Sequence, residues 1–147
     1  MDLDLAFLGT AGSMPTAQRS PAAILLRRGG DRLLFDCGEG TQRQLQRSSA
    51  GLPELEEIFL THFHADHFLG LPGMLKTFAL RGREQAGLTV YGPRGLKELF
   101  SRLRPFVGRL PYPLADAPAV TVGGSTYLLG GETLSFTSRV TRLRWTR

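Results

Sequence analysis

Cysteine is nearly absent from the 147-residue chain. Cys37 stands alone, so the chain holds no internal disulfide and no metal site made of cysteine only. No apolar run approaches the roughly 18 residues of a membrane-spanning helix. The opening stretch, MDLDLAFLGTAG, carries two aspartates where a secretory leader carries lysine or arginine. These absences predict a cytoplasmic protein without a membrane segment. The basic excess is concentrated at one end. Residues 139–147 contain Arg139, Arg142, Arg144 and Arg147 and no Asp or Glu, while the first 138 residues carry 14 basic and 13 acidic side chains. The net charge of +5 is therefore mostly a property of the last nine residues.

What remains is ordinary for a globular chain. Hydrophobic residues make up 41% and charged residues 21%, enough to build one packed core. Apolar runs at 3–9, 22–28 and 31–37 read as strands, the last two joined by a Gly29-Gly30 hairpin turn. A Gly/Pro/Ser/Thr-rich loop fills 9–21. A helix is expected after residue 40, with Thr41 as its N-cap, and another from about Pro72 to Gly82. Strands are expected at 55–62 and 88–92. Residues 94–107 place Leu96, Leu99, Phe100, Leu103, Phe106 and Val107 on one helical face, a core-facing stripe. From 111 to 134 the pattern is weakly β, with turns at Gly123-Gly124 and Gly130-Gly131. Strands alternating with helices after a hairpin predict an α/β layered fold with a mixed sheet.

Histidine is scarce too, and all three copies fall in Thr61-His62-Phe63-His64-Ala65-Asp66-His67. A lone histidine is ordinarily a polar loop residue. Three of three, interleaved with an aspartate at a strand end, are not accounted for that way. His62 and His64 lie two apart, so an extended backbone projects both to one side. Asp66 and His67 follow as the chain turns. Imidazole nitrogen and carboxylate oxygen suit Zn²⁺. The set reads as half of a two-metal centre, with His62 and His64 for one ion and Asp66 and His67 for the other.

The cluster resembles the His-x-His-x-Asp-His signature of the metallo-β-lactamase superfamily. Within it, the chain is most similar to the ribonuclease Z family. Phe7-Leu8-Gly9-Thr10-Ala11-Gly12 resembles that family's opening strand and turn, and residues 34–42, LFDCGEGTQ, its FDCGEGTQ segment. Residues 58–73 resemble its ITHxHxDHxxGLPG stretch, and 88–95 its VYGPxG turn. The resemblance implies an αββα sandwich of which residues 1–138 form the N-terminal half, followed by an atypical Arg-rich tail at 139–147. It implies a zinc endoribonuclease that removes the 3′ trailer of precursor tRNA, with two zinc ions bridged by hydroxide. His62, His64, Asp66 and His67 would be metal ligands, and Asp66 would also orient or deprotonate the attacking water. A homodimer is expected from the same resemblance.

Other positions keep two readings. Asp36 and Glu39 either hold a ligand histidine's ring N–H or bond backbone N–H groups of the 36–41 turn. Arg19 lies where the family has a PxKxRN loop, of which only Pro15 and Arg19 match here; it either contacts phosphate or is a solvated loop residue. Cys37 reads as a small buried residue.

The chain also departs from the family. The resemblance requires a further histidine, a bridging aspartate and a final histidine, and no His follows His67. Arg142 falls near the position of the next expected His, and a guanidinium has no lone pair to offer a metal. The Arg-rich ending reads as a frameshift or truncation, with a natural basic tail as the alternative. Such a chain is expected to be weak or inactive alone. Two further functions compete: another hydrolase of the superfamily, arylsulfatase-like or a phosphodiesterase, and a non-catalytic basic nucleic-acid binder whose Arg tail contacts phosphates.

Overall fold

The computed structural model describes residues 3–52, 55–122, 125–128 and 141–142. Strands Leu3–Gly9 (β1), Ala23–Arg28 (β2) and Asp31–Phe35 (β3) form an antiparallel meander. The turn between β2 and β3 contains Gly29 at φ 55°, a left-handed conformation that glycine adopts without a Cβ penalty. Strands Glu57–Phe59 (β4), Leu88–Gly92 (β5) and Leu114–Val122 (β6) then add in parallel, one beside the next. Helices Thr41–Arg47 (α1), Ala65–Phe68 (α2), Leu71–Leu80 (α3) and Leu96–Val107 (α4) occupy the crossovers. Because β3 to β6 progress in one direction, right-handed crossovers set these helices on one face of the sheet. The second half of β6 pairs antiparallel with Ser125–Leu128 (β7), which pairs with Thr141–Arg142 (β8).

The core lies between the sheet and the helices. Leu25, Leu34, Ile58 and Val90 from the strands are fully buried in one cluster with Leu45, Leu71 and Met74 from the helices. Side chains alternate along a strand, so their neighbours point the other way. On that opposite face Phe35 stacks on Phe59 at 5.0 Å and Phe59 on Tyr91 at 4.8 Å. At the sheet edge Leu3, Leu5 and Phe7 are exposed. Tyr91 donates a hydrogen bond of 3.1 Å to Glu57 beside this aromatic row. Burial pushes the Glu57 carboxyl above its ordinary value and the Tyr91 hydroxyl up to about 12.

Three details differ from the sequence expectation. The N-cap of α1 is Gly40 at φ 82°, not Thr41; the Thr41 hydroxyl instead donates to the Gly38 carbonyl at 2.7 Å. Asp66 and His67 sit on the single-turn helix α2 rather than on a loop. Phe106 is not core: it is 84% exposed. At 100° per residue, Leu96, Phe100, Leu103 and Val107 stay within about 40° of one line, while Phe106 falls about 80° off it. The turns at Gly123-Gly124 and Gly130-Gly131 lie outside the described residues, as does the Arg-rich tail apart from Thr141 and Arg142.

Phe106→Ser is expected to change stability by less than about 0.5 kcal/mol. Leu75→Ala, at a buried α3 position, is expected to cost about 2–5 kcal/mol. Denaturant titrations of the two variants check this contrast. A carboxyl whose folded-state pKa is raised loses stability as pH rises through that value. Glu57→Gln keeps an acceptor for Tyr91 and is therefore expected to melt higher than the unsubstituted chain at pH 7. The gap should close as pH drops below the ordinary Glu value.

Candidate metal centre

The histidine cluster begins just past the C-terminal end of β4, beside the end of β3. Ends of parallel strands are open to solvent, because the crossover chains leave from there. The backbone ties the region down first. Asp36 N–H donates to Phe59 O at 2.7 Å, and Leu60 N–H to Tyr91 O at 2.7 Å. The chain then turns at Asp36, whose φ of 58° is a left-handed conformation that aspartate tolerates. Cys37 N–H donates to His67 O, and Gly70 N–H to Cys37 O, each at 2.8 Å. The 36–38 turn thus clasps α2. Two glycines make the clasp possible. A Cβ on Gly38 would lie 2.4 Å from Asp66 O, and one on Gly70 would lie 2.1 Å from Gly38 O.

Asp36 is buried and is the hub of the side-chain network. Its Oδ1 accepts from Thr61 N–H at 2.8 Å, and the Thr61 hydroxyl lies 3.0 Å from both carboxylate oxygens. Its Oδ2 lies 2.8 Å from His67 Nδ1. Of the two readings of Asp36, it takes the first: it holds a histidine ring. The backbone N–H that it accepts belongs to Thr61, not to the 36–41 turn. Glu39 is exposed. Cys37 is fully buried, and burial pushes its thiol up to about 12, which leaves it inert as a nucleophile.

The remaining candidates form two pairs. His62 Nε2 lies 3.0 Å from His64 Nδ1, and His67 Nε2 lies 3.5 Å from Asp66 Oδ2. The pairs adjoin, with the His62 and His67 ring centres 3.9 Å apart. Asp66 Oδ2 also accepts from the backbone N–H of Ser13 at 2.9 Å. Burial alone would raise the Asp66 carboxyl. Hydrogen bonds from the backbone N–H groups of Asp66 and Ser13, with His67 and His64 nearby, outweigh it and hold the carboxyl below its ordinary value. Ser13, at φ 63° in the 9–21 loop, is a site residue that no sequence motif marks. Arg19, in the same loop, is exposed, and its backbone folds back on Thr16 at 2.9 Å.

These atoms suit a metal in kind and in spacing. Two donors each about 2.0–2.1 Å from a tetrahedral zinc are about 3.3 Å apart. The two pairs fall close to that separation. Each offers two donors and leaves further positions of an ion open. Among the described residues, no three His, Cys, Asp or Glu side chains converge on one ion.

The one-sided α/β layer and the strand-end cluster are features of the metallo-β-lactamase fold. Residues 17–138 match the model of the Metallo-beta-lactamase superfamily, and the chain belongs to that superfamily. Its sequence relatives narrow the comparison. The chain is 53% identical over 96 residues to the Ribonuclease Z of Methanosarcina mazei, covering 65% of this chain and 31% of that protein. It is 42% identical over 130 residues to the Ribonuclease Z of Bradyrhizobium diazoefficiens, covering 83% and 43%. The crystal structure of the short form of human tRNase Z superposes with a TM-score of 0.71 at 32% identity, covering 86% of this chain and 55% of that one. The chain thus spans between 31% and 43% of the length of these two Ribonuclease Z relatives. No helix among the described residues is long and apolar enough to cross a membrane.

Gly70→Ala is expected to destabilise the chain by at least about 1–3 kcal/mol, because its new methyl meets backbone rather than a yielding side chain. Thermal unfolding measures the loss. Amide exchange should locate the loosening at Cys37 and Gly70.

Proposed function

We propose that the chain carries two ligand pairs of a dinuclear zinc centre in a ribonuclease Z, an endonuclease that releases the 3′ trailer of precursor tRNA. The observation that carries this reading is the juxtaposition of the His62–His64 and Asp66–His67 pairs in a chain so similar to ribonucleases Z. Zinc, when bound, lowers the pKa of water and offers positive charge to a phosphodiester oxygen. His62 would hold one ion through Nε2 and His64 through Nδ1. His67, braced at Nδ1 by Asp36, would present Nε2 to the other ion beside Asp66. Asp66, held in place by the Ser13 backbone N–H beside His67, would orient or deprotonate the attacking water. Arg19 would contact an RNA phosphate from the exposed loop that also holds Asp66 through Ser13.

The 147 residues contain no histidine beyond these three. A third nitrogen for either ion would come from outside this chain. Alone, the chain is therefore expected to hold zinc weakly and to trim precursor tRNA poorly. Zinc affinity of the chain, measured by titration and compared with His64→Ala, tests the pairs; equal affinity in both would refute them. Precursor-tRNA cleavage is then measured with the chain alone and with a complementary C-terminal segment of a ribonuclease Z. Restored trimming supports the reading. Strong trimming by the chain alone would overturn the ligand shortage. Turnover of a small phosphodiester without any tRNA cleavage in the supplemented mixture would favour a different hydrolase of the superfamily.

A further inference from the structure

We infer that Thr61 is a positioning residue whose hydroxyl passes the influence of Asp36 on to His62 and selects which nitrogen of that ring carries the hydrogen. The purpose of this selection rests on the zinc reading above; the geometry behind it does not.

The argument is one of counting protons. A hydroxyl has one proton and two lone pairs, and a carboxylate can only accept. The Thr61 hydroxyl lies 3.0 Å from both oxygens of Asp36, so its proton goes there. With that proton committed, Thr61 Oγ1 can only accept from its other neighbour. That neighbour is His62 Nδ1, at 2.9 Å. His62 therefore carries its hydrogen on Nδ1 and keeps the lone pair on Nε2. Nε2 is the atom that lies 3.0 Å from His64 Nδ1. The reverse assignment, with the Thr61 proton on His62 Nδ1, would leave two acceptors of Asp36 facing a third at 3.0 Å with no hydrogen between them. His67 does not compete for the hydroxyl. Its Nδ1 is 3.4 Å from Thr61 Oγ1 but only 2.8 Å from Asp36 Oδ2.

One carboxylate thus sets two rings. It acts on His67 directly and on His62 through a hydroxyl, and both rings are left with their lone pair on Nε2. The role needs a hydroxyl at position 61, not a β-branched shape. Serine supplies it. Valine reproduces the outline of threonine and removes it. The Thr61 backbone N–H bond to Asp36 survives either change.

The test uses the full 147-residue chain labelled with ¹⁵N-histidine, free of metal, at a pH where the imidazoles are neutral. Ring nitrogen shifts and couplings report which nitrogen bears the hydrogen. His62 is expected to be Nδ1–H in the unsubstituted chain and in Thr61→Ser, and to lose that preference in Thr61→Val. Zinc affinity, read by competition with a chromogenic chelator, is expected to fall by about tenfold or more in Thr61→Val and to change little in Thr61→Ser. An Nε2–H tautomer at His62 in the unsubstituted chain overturns the inference without any variant, even if Thr61→Val fails to fold. So does a Thr61→Ser chain that behaves like Thr61→Val. If the tautomers follow expectation but the unsubstituted chain takes up no zinc, the relay stands and the zinc reading fails.

Discussion

The carboxylate of Asp36 is the interaction on which the site depends. It lies where β3 ends and reaches across to the end of β4, joining two parallel strands beyond their last ladder bonds. A buried charge of this kind persists only when surrounded by donors. Thr61 supplies two and His67 a third. Removing any one of them leaves the others facing an under-satisfied anion, so the arrangement is specific as well as stable. The left-handed backbone at Asp36 serves the same end, since it turns the side chain under the histidine segment while the main chain departs toward α1.

The one-sided placement of the helices explains why the site is where it is. Four strands progressing in one direction send each crossover over the same face, and every crossover leaves from the same end of the sheet. The strand ends at 36 and 60–62 therefore meet at an open rim, and the clasp between residues 37–38 and 67–70 closes beneath them. Elsewhere, one arginine has a comparable structural part. Arg83 donates to the carbonyls of Leu55, Ala86 and Gly87 and lies over the rings of Phe78 and Tyr112, tying the end of α3 to the entry of β5.

Much of this was legible in residue order. The hairpin, the parallel strands and the helices from Pro72 and across 96–107 follow from apolar periodicity and glycine placement, which are local signals. The histidine cluster was legible because its members are adjacent in sequence. What was hidden depends on contacts between distant segments. Nothing in GEGT separates Gly40 from Thr41 as the helix start, because the choice depends on which carbonyl the Thr41 hydroxyl meets. Phe106 carries the period of the stripe but sits at its margin, where solvent wins. Asp36 could be named but not assigned, since its partners are 25 and 31 residues away. Ser13 contributes a backbone N–H, which every residue type but proline offers, so its side chain carried no signal.

That last contact gives the site an uneven stiffness. His62 and His67 are tied to Asp36, which is buried and bonded from several sides. Asp66 is steadied from across the fold by one bond, from an exposed loop 53 positions away in sequence. Closing a longer loop costs more entropy, and a single exposed bond is among the first to open in a native ensemble. The candidate ligands therefore differ in tether. His62 and His67 move with the sheet, whereas Asp66 answers to whatever pulls on residues 9–21. A molecule that grips that loop tugs on the carboxylate at the same time.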